Sequence, residues 1–477
     1  MVRYLVDDLD DLPYDPSDRE SILSYAARLR GRTLRQLCDI DAGAMNGANK
    51  GRLGQALEMY YFKYEPNSDQ EPDFPEVGLE LKTNPIKRLK NEDISAKERL
   101  VITMIDYCAL VNEEWETSTV RKKLDDILLV SYLHDPEADI LDYEFKYAAV
   151  QAVTDEDMAV IRADWETILA KVRAGRAHEL SGSDTNYLEA CTKGANAQSV
   201  RKQPFSGEPA KQRAFALKAS YMTAFYRDLG LASIPRTDEE RQWGLEKLVR
   251  TRFDEYRGMT ESSLSEKFGI SSHAKNFHAL LTKAILGIGR NDEIGEFVKA
   301  GIIVKTVRLE SDGDIKEHMS FPAFEFADLL DEESWSESAF GRICEGGRFL
   351  FVVFKRNGGE FVLQGCSFWR MPECDIDCAR DTWEETRRVV ARGIELRDVS
   401  LDPSRHRYAN NLPGSSFNGV AHVRPHATKS AYRFEDGTEV GNVARDASEL
   451  PDGRAMTRQG FWLDRSYVAK QLRMLGY

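Results

Sequence analysis

Two halves of this chain carry the same sequence signals in the same order, and this internal repeat constrains the fold more than any other feature. Because 477 residues exceed what a single hydrophobic core usually holds, the repeat predicts two related domains. We expect them over residues 1–230 and 245–477, joined by a linker at 231–244 within the polar stretch SIPRTDEERQ. The corresponding segments are LRGRTLRQLCDI with YRGMTESSLSEKFGI, DFPEVGLELKT with EFVKAGIIVKT, EEWETSTV with ESWSESAF, WETILAKVRAG with WEETRRVVARG, and AFALKASYMTAFY with GFWLDRSYVAKQL.

Hydrophobic periodicity in the first half predicts a mixture of helices and strands. Apolar residues recur at helical spacing between Lys50 and Tyr64, whereas they alternate with polar residues in EVGLELKT, which is typical of a strand. LVITMI and ILLVSYL predict two further strands, and TDEDMAVIRADWETILAKV predicts a long amphipathic helix. The expected fold class is therefore α/β, or mixed α+β, with a central mixed sheet flanked by helices in each domain.

Charge and composition argue against several classes of protein. The net charge of −14 disfavours a protein that coats nucleic acid indiscriminately, although locally basic stretches such as KTNPIKRLK are compatible with a specific binder. The longest apolar runs are too short for a membrane span, and we expect no signal peptide. Seven scattered cysteines, of which only Cys374 and Cys378 are closely spaced, fit a reducing cytoplasm better than a zinc site.

The strongest local motif is PDFPEVGLELK. Glu80 and Lys82 lie two residues apart on the expected strand, so both side chains project from one face, and Asp73 precedes them. Two carboxylates can hold a hard divalent cation through oxygen ligands, and such a cation stabilises the charge that develops on phosphate during phosphodiester hydrolysis. A nearby lysine can orient or deprotonate the attacking water. Taken alone, the motif is equally compatible with an ordinary solvated strand face.

The surroundings of this motif resemble a known nuclease family. The segments KGRLGQALEMYY, PDFPEVGLELKTNP, WETSTVRKKL, YLEACTKGANA and AFALKASY are similar, in order and spacing, to the MutH mismatch-repair nickase and to the related type II restriction endonucleases that cut GATC. The resemblance covers most of residues 20–225. It implies a restriction-endonuclease-like PD-(D/E)xK fold for both domains, and Mg²⁺ as the cofactor.

The same resemblance implies a role for each residue of the centre. Asp73 and Glu80 would bind the magnesium ion, and Glu58 would contribute through its water shell. Lys82 would act on the attacking water, and Lys123 would assist at the phosphate. Two alternatives stay open, since Glu58 also fits an ordinary helix flank and Lys123 also fits a basic run that contacts phosphate.

Candidate DNA contacts follow from the same comparison, because phosphate contacts position a protein and base contacts specify the sequence. Lys50, beside Gly51, is a candidate phosphate contact. Of the arginine-proline-lysine segment that reads the target in the family, only Lys193 is kept here. Ala216 stands where the nickase has a tyrosine that helps to sense adenine methylation. These departures predict an enzyme that is indifferent to adenine methylation.

The second half has lost the residues of the motif. An isoleucine cannot ligate a cation, and a lysine nearby would repel one, so we expect no catalysis there. The matched positions are Glu296 for Asp73, Ile303 for Glu80, Lys305 for Lys82, Lys283 for Glu58 and Ile343 for Lys123.

The second half keeps more of the DNA-reading segment than the first. HVRPHATKS retains Arg424 and Pro425, with His426 where the lysine would be, and Trp462 stands opposite Ala216. Arg424, His426 and Trp462 are therefore candidate DNA-binding residues, with a surface loop and a buried tryptophan as the alternative. If they bind DNA, the second domain is an allosteric effector that recognises a site without cutting it.

These observations predict a type II restriction endonuclease that cuts double-stranded DNA at a short site such as GATC, in the cytoplasm. One active centre severs one strand at a time, so double-strand cleavage favours a DNA-induced homodimer. The alternatives are a mismatch-repair type strand nickase and a non-catalytic sequence-specific DNA-binding protein.

Overall fold

The chain divides into two compact units in a computed structural model. The first contains Met1–Leu231 together with Gly295–Gly301, and the second contains Ala232–Ile294 and Ile302–Tyr477. The segment Gly295–Gly301, which the sequence comparison placed in the second domain, thus packs with the first unit. The structure describes residues 3–40, 52–66, 71–89, 92–135, 137–194, 199–227, 230–332, 334–399 and 408–477.

The α-helices alternate with short connections along both units. They are α1 Arg19–Ala27, α2 Leu34–Leu37, α3 Arg52–Ala56, α4 Tyr107–Leu110, α5 Thr119–Asp125, α6 Asp155–Arg173, α7 Ala219–Tyr226, α8 Leu245–Asp254, α9 Glu261–Phe268, α10 Phe277–Ile285, α11 Gly295–Ala300, α12 Phe326–Asp331, α13 Ala339–Gly346, α14 Glu373–Arg392, α15 Val443–Asp446 and α16 Arg465–Met474.

The strands lie between these helices. They are β1 Glu80–Arg88, β2 Ile94–Ala96, β3 Leu100–Met104, β4 Ile127–Leu133, β5 Phe145–Gln151, β6 Leu188–Thr192, β7 Val200–Arg201, β8 Ala210–Lys211, β9 Arg213–Leu217, β10 Leu231–Ala232, β11 Glu293–Ile294, β12 Ile302–Leu309, β13 Met319–Phe324, β14 Arg348–Asn357, β15 Glu360–Trp369, β16 Leu396–Asp398, β17 Tyr408–Asn410, β18 Ala421–Pro425, β19 Tyr432–Arg433, β20 Glu439–Val440, β21 Ala447–Glu449, β22 Ala455–Thr457 and β23 Gln459–Leu463.

The first unit is built on a mixed sheet with the strand order β2-β1-β4-β5. Strands β1 and β4 are parallel, whereas β2 and β5 flank them in antiparallel orientation. A second sheet has the order β3-β9-β6 and is antiparallel. Ile22 of α1 and Leu128 and Val130 of β4 are fully buried in one hydrophobic cluster, so the central strands and the first helix share a core.

The second unit repeats this arrangement. Strands β12 and β14 are parallel, β15 completes a sheet of order β12-β14-β15, and a further antiparallel sheet has the order β13-β23-β18. Its core joins Phe349 and Phe351 of β14 to Trp383 of α14 and Leu463 of β23. The mixed α/β fold class is confirmed.

Two elements near the motif differ from their expected form. The expected strand 77–82 begins only at Glu80, because Phe74 and Leu79 exchange backbone hydrogen bonds of 2.9 and 3.1 Å and close a turn first. The expected helix from Lys50 to Tyr64 is described from Arg52, and it ends in a π-helical turn over Leu57–Tyr61. Lys63 then has a φ of 61°, which a continuing helix does not allow.

None of the helices in the described ranges combines the length and the apolar character that crossing a bilayer requires. All seven cysteines are free thiols.

Candidate functional site

The first strand of the central sheet carries the Glu-x-Lys pair of the motif. Glu80 opens β1, and the Lys82 ammonium donates a hydrogen bond to Oε1 of Glu80, so both side chains occupy the same face as predicted. Glu80 is only 2% exposed, whereas Lys82 is partly exposed. The carboxylate is therefore held in the protein, with the ammonium beside it toward solvent.

Lys123 reaches the same carboxylate from α5, the helix that precedes the neighbouring parallel strand β4. Ser118 caps α5 by accepting a hydrogen bond from the Arg121 backbone, and the helix leads directly into β4. The Glu80 backbone N–H donates to the Asp126 carbonyl at 2.9 Å, which aligns the start of β1 with the end of α5. Lys123 is buried, and its Nζ donates to Oε1 of Glu80 at 2.8 Å.

Asp73 lies in the turn that precedes β1. Its Oδ2 accepts a hydrogen bond of 2.9 Å from the Leu81 backbone N–H, one residue after Glu80. Burial and the neighbouring Glu80 carboxylate raise the pKa of Asp73 to about 6, against the opposing effect of Lys82 and Lys123. The Glu80 carboxylate thus lies close enough to disfavour the charge of Asp73.

Glu58 approaches the same centre from the π-helical turn. Burial, followed by the charge of Asp73, raises the pKa of Glu58 to about 7, and Glu80 adds to this effect while Lys82 opposes it. Its position within electrostatic reach of these three residues distinguishes it from an ordinary helix-flank residue. The structure therefore brings together all five residues that the sequence singled out for the centre.

The arrangement suits a hard divalent cation. Oε2 of Glu80 is buried and has no hydrogen-bond partner among the described residues, so one carboxylate oxygen remains available inside the cluster. Asp73 and Glu58 add carboxylate oxygens, and their pKa values are raised first by burial and then by the neighbouring negative charges, which a cation would offset. Oxygen donors of this kind are the ligands that Mg²⁺ prefers.

Tyr64 is a residue of this centre that the sequence did not single out. It is fully buried, and its hydroxyl has no hydrogen-bond partner within the described part of the chain. Burial, and then the charges of Asp73 and Glu58, raise the pKa of this hydroxyl well above its ordinary value. No spacing rule marks this tyrosine, since it reaches the carboxylates only because the chain turns back after the π-helical turn.

The candidate DNA-binding residues fall into three groups. Lys50 lies outside the described residues. Lys193 is exposed just beyond the end of β6, where its backbone N–H donates to Gln212 at 2.9 Å. In the second unit, the Arg424 guanidinium lies 5.6 Å from the Trp462 ring centre, and the His426 and Trp462 ring centres are 5.7 Å apart. Arg424, His426 and Trp462 thus form one surface cluster, with Trp462 partly exposed and not buried as the alternative required.

The second unit has apolar side chains at two of the five positions that match the centre. Ser338 caps α13 as Ser118 caps α5, so Ile343 stands five residues after its cap, as Lys123 does. Ile303 and Ile343 both pack against the hydrophobic core of the second unit.

Three further matched positions carry charge. Lys305 is partly buried and donates to the Ser320 carbonyl at 2.6 Å, and Lys283 pairs with Glu293 at 3.0 Å. Glu296 lies in α11, which packs with the first unit.

Sequence comparison identifies relatives for the whole chain and for its first half. Residues 62–164 match the family described as the DNA mismatch repair enzyme MutH. The chain is 34% identical over 471 residues, 92% of its own length and 96% of the relative's, to the type II restriction enzyme Sau3AI of Staphylococcus aureus. It is 30% identical over 192 residues to the DNA mismatch repair protein MutH of Shewanella woodyi, and 27% identical over 192 residues to that of Shigella flexneri. Both matches cover 39% of this chain and 80% of the relative.

The fold is thus that of a MutH-like nuclease with the restriction-endonuclease architecture. Because the similarity to Sau3AI spans nearly the full length of both chains, the chain belongs to the Sau3AI family of type II restriction enzymes.

Proposed function

We propose that this chain is a magnesium-dependent restriction endonuclease that cuts double-stranded DNA at GATC. As a member of its family it is a site-specific deoxyribonuclease. The observation that carries the proposed chemistry is the buried, unpartnered Oε2 of Glu80, at the point where Asp73, Lys82 and Lys123 converge. An acidic pocket with two ammonium groups at its wall is what phosphodiester hydrolysis requires.

Asp73 and Glu80 would hold the magnesium ion, with Glu58 linked to it through water. The bound ion supplies positive charge that stabilises the charge developing on the phosphate. Glu80 is held for this task by the parallel register of β1 and β4 and by the two lysines on its Oε1. Asp73 is held by the Leu81 backbone N–H, so both carboxylates have fixed orientations before substrate arrives.

The two lysines would divide the remaining work. Lys82 is partly exposed beside Glu80, so its ammonium can donate a hydrogen bond that orients the attacking water. Lys123 is more deeply buried and remains tied to Glu80, which suits a fixed positive charge facing the phosphate. Lys50 and Lys193 would contact the DNA around this centre.

We propose that residues 1–230 form the catalytic domain, that 231–244 form a linker, and that 245–477 form a catalytically inactive domain that binds DNA as an effector. Ile303 and Ile343 support the inactivity, because they replace a ligand and a cation with side chains that pack into the core. Arg424 and Trp462 support DNA binding, since a guanidinium and an aromatic ring share one surface there.

Two chains would meet on DNA to cut both strands, because each has one complete centre. Ala216 is buried on β9 and offers no side chain to sense a methyl group, so we propose that adenine methylation does not affect cleavage. A cytoplasmic location belongs to the same proposal, since free thiols persist in a reducing compartment.

Digestion of supercoiled plasmid with magnesium tests the function. Linear fragments whose mapped ends coincide with GATC would support the proposal, whereas nicked circles would indicate a strand nickase and unchanged plasmid a non-catalytic binder. Plasmids with one and with several sites test the effector, because equal rates on both would contradict it. Methylated and unmethylated DNA, digested in parallel, test the role of Ala216.

A further inference from the structure

Two histidines and an aspartate, none of them at a position that matches the catalytic centre, converge in the second unit. His318 directly precedes β13, His422 lies on β18, and Asp464 directly follows β23. One ligand atom from each of the three residues lies within 4.8 Å of the others. Nδ1 of His318 is 3.4 Å from Oδ2 of Asp464, and the two imidazole ring centres are 4.7 Å apart.

His422 lacks the partners that a buried imidazole needs. The residue is 1% exposed, and neither ring nitrogen has a hydrogen-bond partner in the ranges that the structure describes. A neutral imidazole has one donor and one acceptor nitrogen, and burying both without partners is unfavourable. This ring is directed into the cluster with a nitrogen lone pair to offer.

The matching positions of the first unit carry a different set of side chains. Strand β9 pairs Leu217 with Leu100 and Leu188, and β23 pairs Leu463 with Met319 and Ala421 in the same way. Residues next to these paired positions therefore correspond between the two units. Arg99 of the first unit corresponds to His318 of the second, Glu189 to His422, and Lys218 to Asp464.

Arg99 and Glu189 form an ion pair at 3.1 Å, which joins β6 to the segment before β3. The second unit has replaced both members of this pair with imidazoles. Two neutral imidazoles do not attract each other as an ion pair does, so β13 and β18 are joined through β23 without this side-chain attraction between them.

We propose that His318, His422 and Asp464 bind one zinc ion and that this ion takes the place of the ion pair. Imidazole nitrogen and carboxylate oxygen are common zinc ligands, and tetrahedral bonds of about 2.1 Å place ligand atoms about 3.4 Å apart. The separation of His318 Nδ1 and Asp464 Oδ2 already has this value, whereas the three ligand atoms as a set lie within 4.8 Å of one another and would draw closer around an ion. Three protein ligands leave a fourth position for water. Magnesium fits the site poorly, because it prefers oxygen ligands throughout.

The surroundings supply charges of both signs. The charge of Arg424 acts on His422 and partly opposes a cation, while Asp464 supplies a compensating carboxylate. Oδ1 of Asp464 accepts from Ser466, which leaves Oδ2 to face the cluster.

His318 makes one hydrogen bond that the ion would affect. The Arg465 backbone N–H donates to its Nδ1 at 3.2 Å, a bond that a metal at Nδ1 would displace and a metal at Nε2 would keep. His318 also lines a cavity of about 340 Å³, which gives an ion a path to the cluster.

The zinc ion would join β18 to the start of β13 and the end of β23, beside the candidate DNA-reading cluster. Arg424 lies two residues after His422 on the same face of β18, and Trp462 is the direct partner of His422 on β23. Fixing His422 would therefore fix the surface that carries both side chains. This consequence rests on the proposed role of the second unit, whereas zinc binding itself does not.

Zinc binding by tag-free, chelator-stripped full-length protein tests the inference. Competition against a chromophoric chelator should give one tight zinc site per chain, and cobalt(II) in its place should show the visible absorption of a tetrahedral site. His318→Gln and Asp464→Asn should each weaken zinc binding by at least about 100-fold, the upper end of what changes around a metal ligand cost. Asp464→Asn keeps a side chain that can cap α16, so folding is preserved.

Two controls isolate the site. His278→Gln alters a histidine of similar burial in the same unit, which pairs with Glu261 at 2.8 Å, and it should leave zinc affinity unchanged. Glu80→Gln removes the proposed magnesium ligand of the first unit, and one zinc per chain should remain. Zinc binding that survives both cluster variants, or that is lost equally in His278→Gln, would overturn the inference, as would a parent protein that binds no zinc.

Discussion

Replacing Glu80 with glutamine separates the role of its charge from the role of its shape. The carboxylate is 2% exposed and accepts hydrogen bonds from two lysines on one oxygen. A carboxamide of the same size can keep its carbonyl oxygen where both lysines donate, but it loses the charge, and its amide nitrogen takes the place of the unpartnered Oε2. The variant therefore leaves two ammonium groups without their counter-charge and removes a proposed metal ligand.

The expected cost has two parts. Breaking a buried ion pair costs about 3–5 kcal/mol, and the partial exposure of Lys82 and the retained acceptor reduce this to about 2 kcal/mol. For a unit of this size that is a fall in melting temperature of about 4–8 °C. Loss of a metal ligand removes several kcal/mol of transition-state stabilisation, so at roughly 4 kcal/mol cleavage should slow by about 1000-fold.

Single-turnover cleavage of a GATC duplex at 25 °C measures the chemical step, and DNA binding without metal measures recognition. DNA binding should be retained or become slightly tighter, because the substitution removes a negative charge near the DNA phosphate. Glu189→Gln is the matched control, since this carboxylate is 5% exposed and pairs with Arg99 in the same unit. It should lower stability but leave the cleavage rate within about threefold. Cleavage by Glu80→Gln within tenfold of the parent would refute the assignment of Glu80 as a metal ligand.

Three further changes test other parts of the proposal. Lys123→Met should slow single-turnover cleavage by at least about 100-fold. Its magnesium affinity, measured by calorimetry, should stay equal or become tighter, because the substitution removes a positive charge from the site. Weaker magnesium binding would contradict this. Arg424→Ala should abolish the rate advantage of multi-site plasmids and keep the one-site rate, whereas Arg433→Ala, which breaks an exposed pair with Glu449, should keep both. Ile303→Glu should lower the unfolding midpoint of the second unit, because it buries a charge at the edge of the core. It should not restore cleavage in the second unit, and combining it with Glu80→Gln, which disables the first centre, would reveal any such cleavage.

The predictions from the sequence agree best with the structure where the geometry of neighbouring residues determines the position of a side chain. Glu80 and Lys82 share a face because strand side chains repeat every two residues, and the structure confirms that they meet. The second helix was expected over a longer range than it has, whereas the first strand begins later than expected and continues to Arg88. Their ends depend on a turn at Phe74 and a positive φ at Lys63, which apolar periodicity does not encode.

The site residues that were inferred from the family resemblance could be predicted less directly from the sequence. Glu58 and Lys123 were inferred from the order of segments, since neither has a spacing relation to Glu80. The structure gives the physical reason for their approach: the parallel register of β1 and β4 aligns α5 with Glu80, and the π-helical turn directs Glu58 toward Asp73. The sequence did not predict Tyr64 as a residue of the site, because only the path of the chain after that turn brings it to the carboxylates.

The sequence by itself determined the repeated organisation, the mixed fold class, and the loss of the acidic ligand at Ile303, because these are written in the order and identity of residues. Only the tertiary structure decided which side chains from distant segments meet. The convergence of Lys123 on Glu80, the packing of Gly295–Gly301 with the first unit, and the approach of His318, His422 and Asp464 all depend on strand pairing between residues far apart in the chain. Strand pairing is set by the burial of whole faces and not by local spacing, which is why no local pattern indicates it.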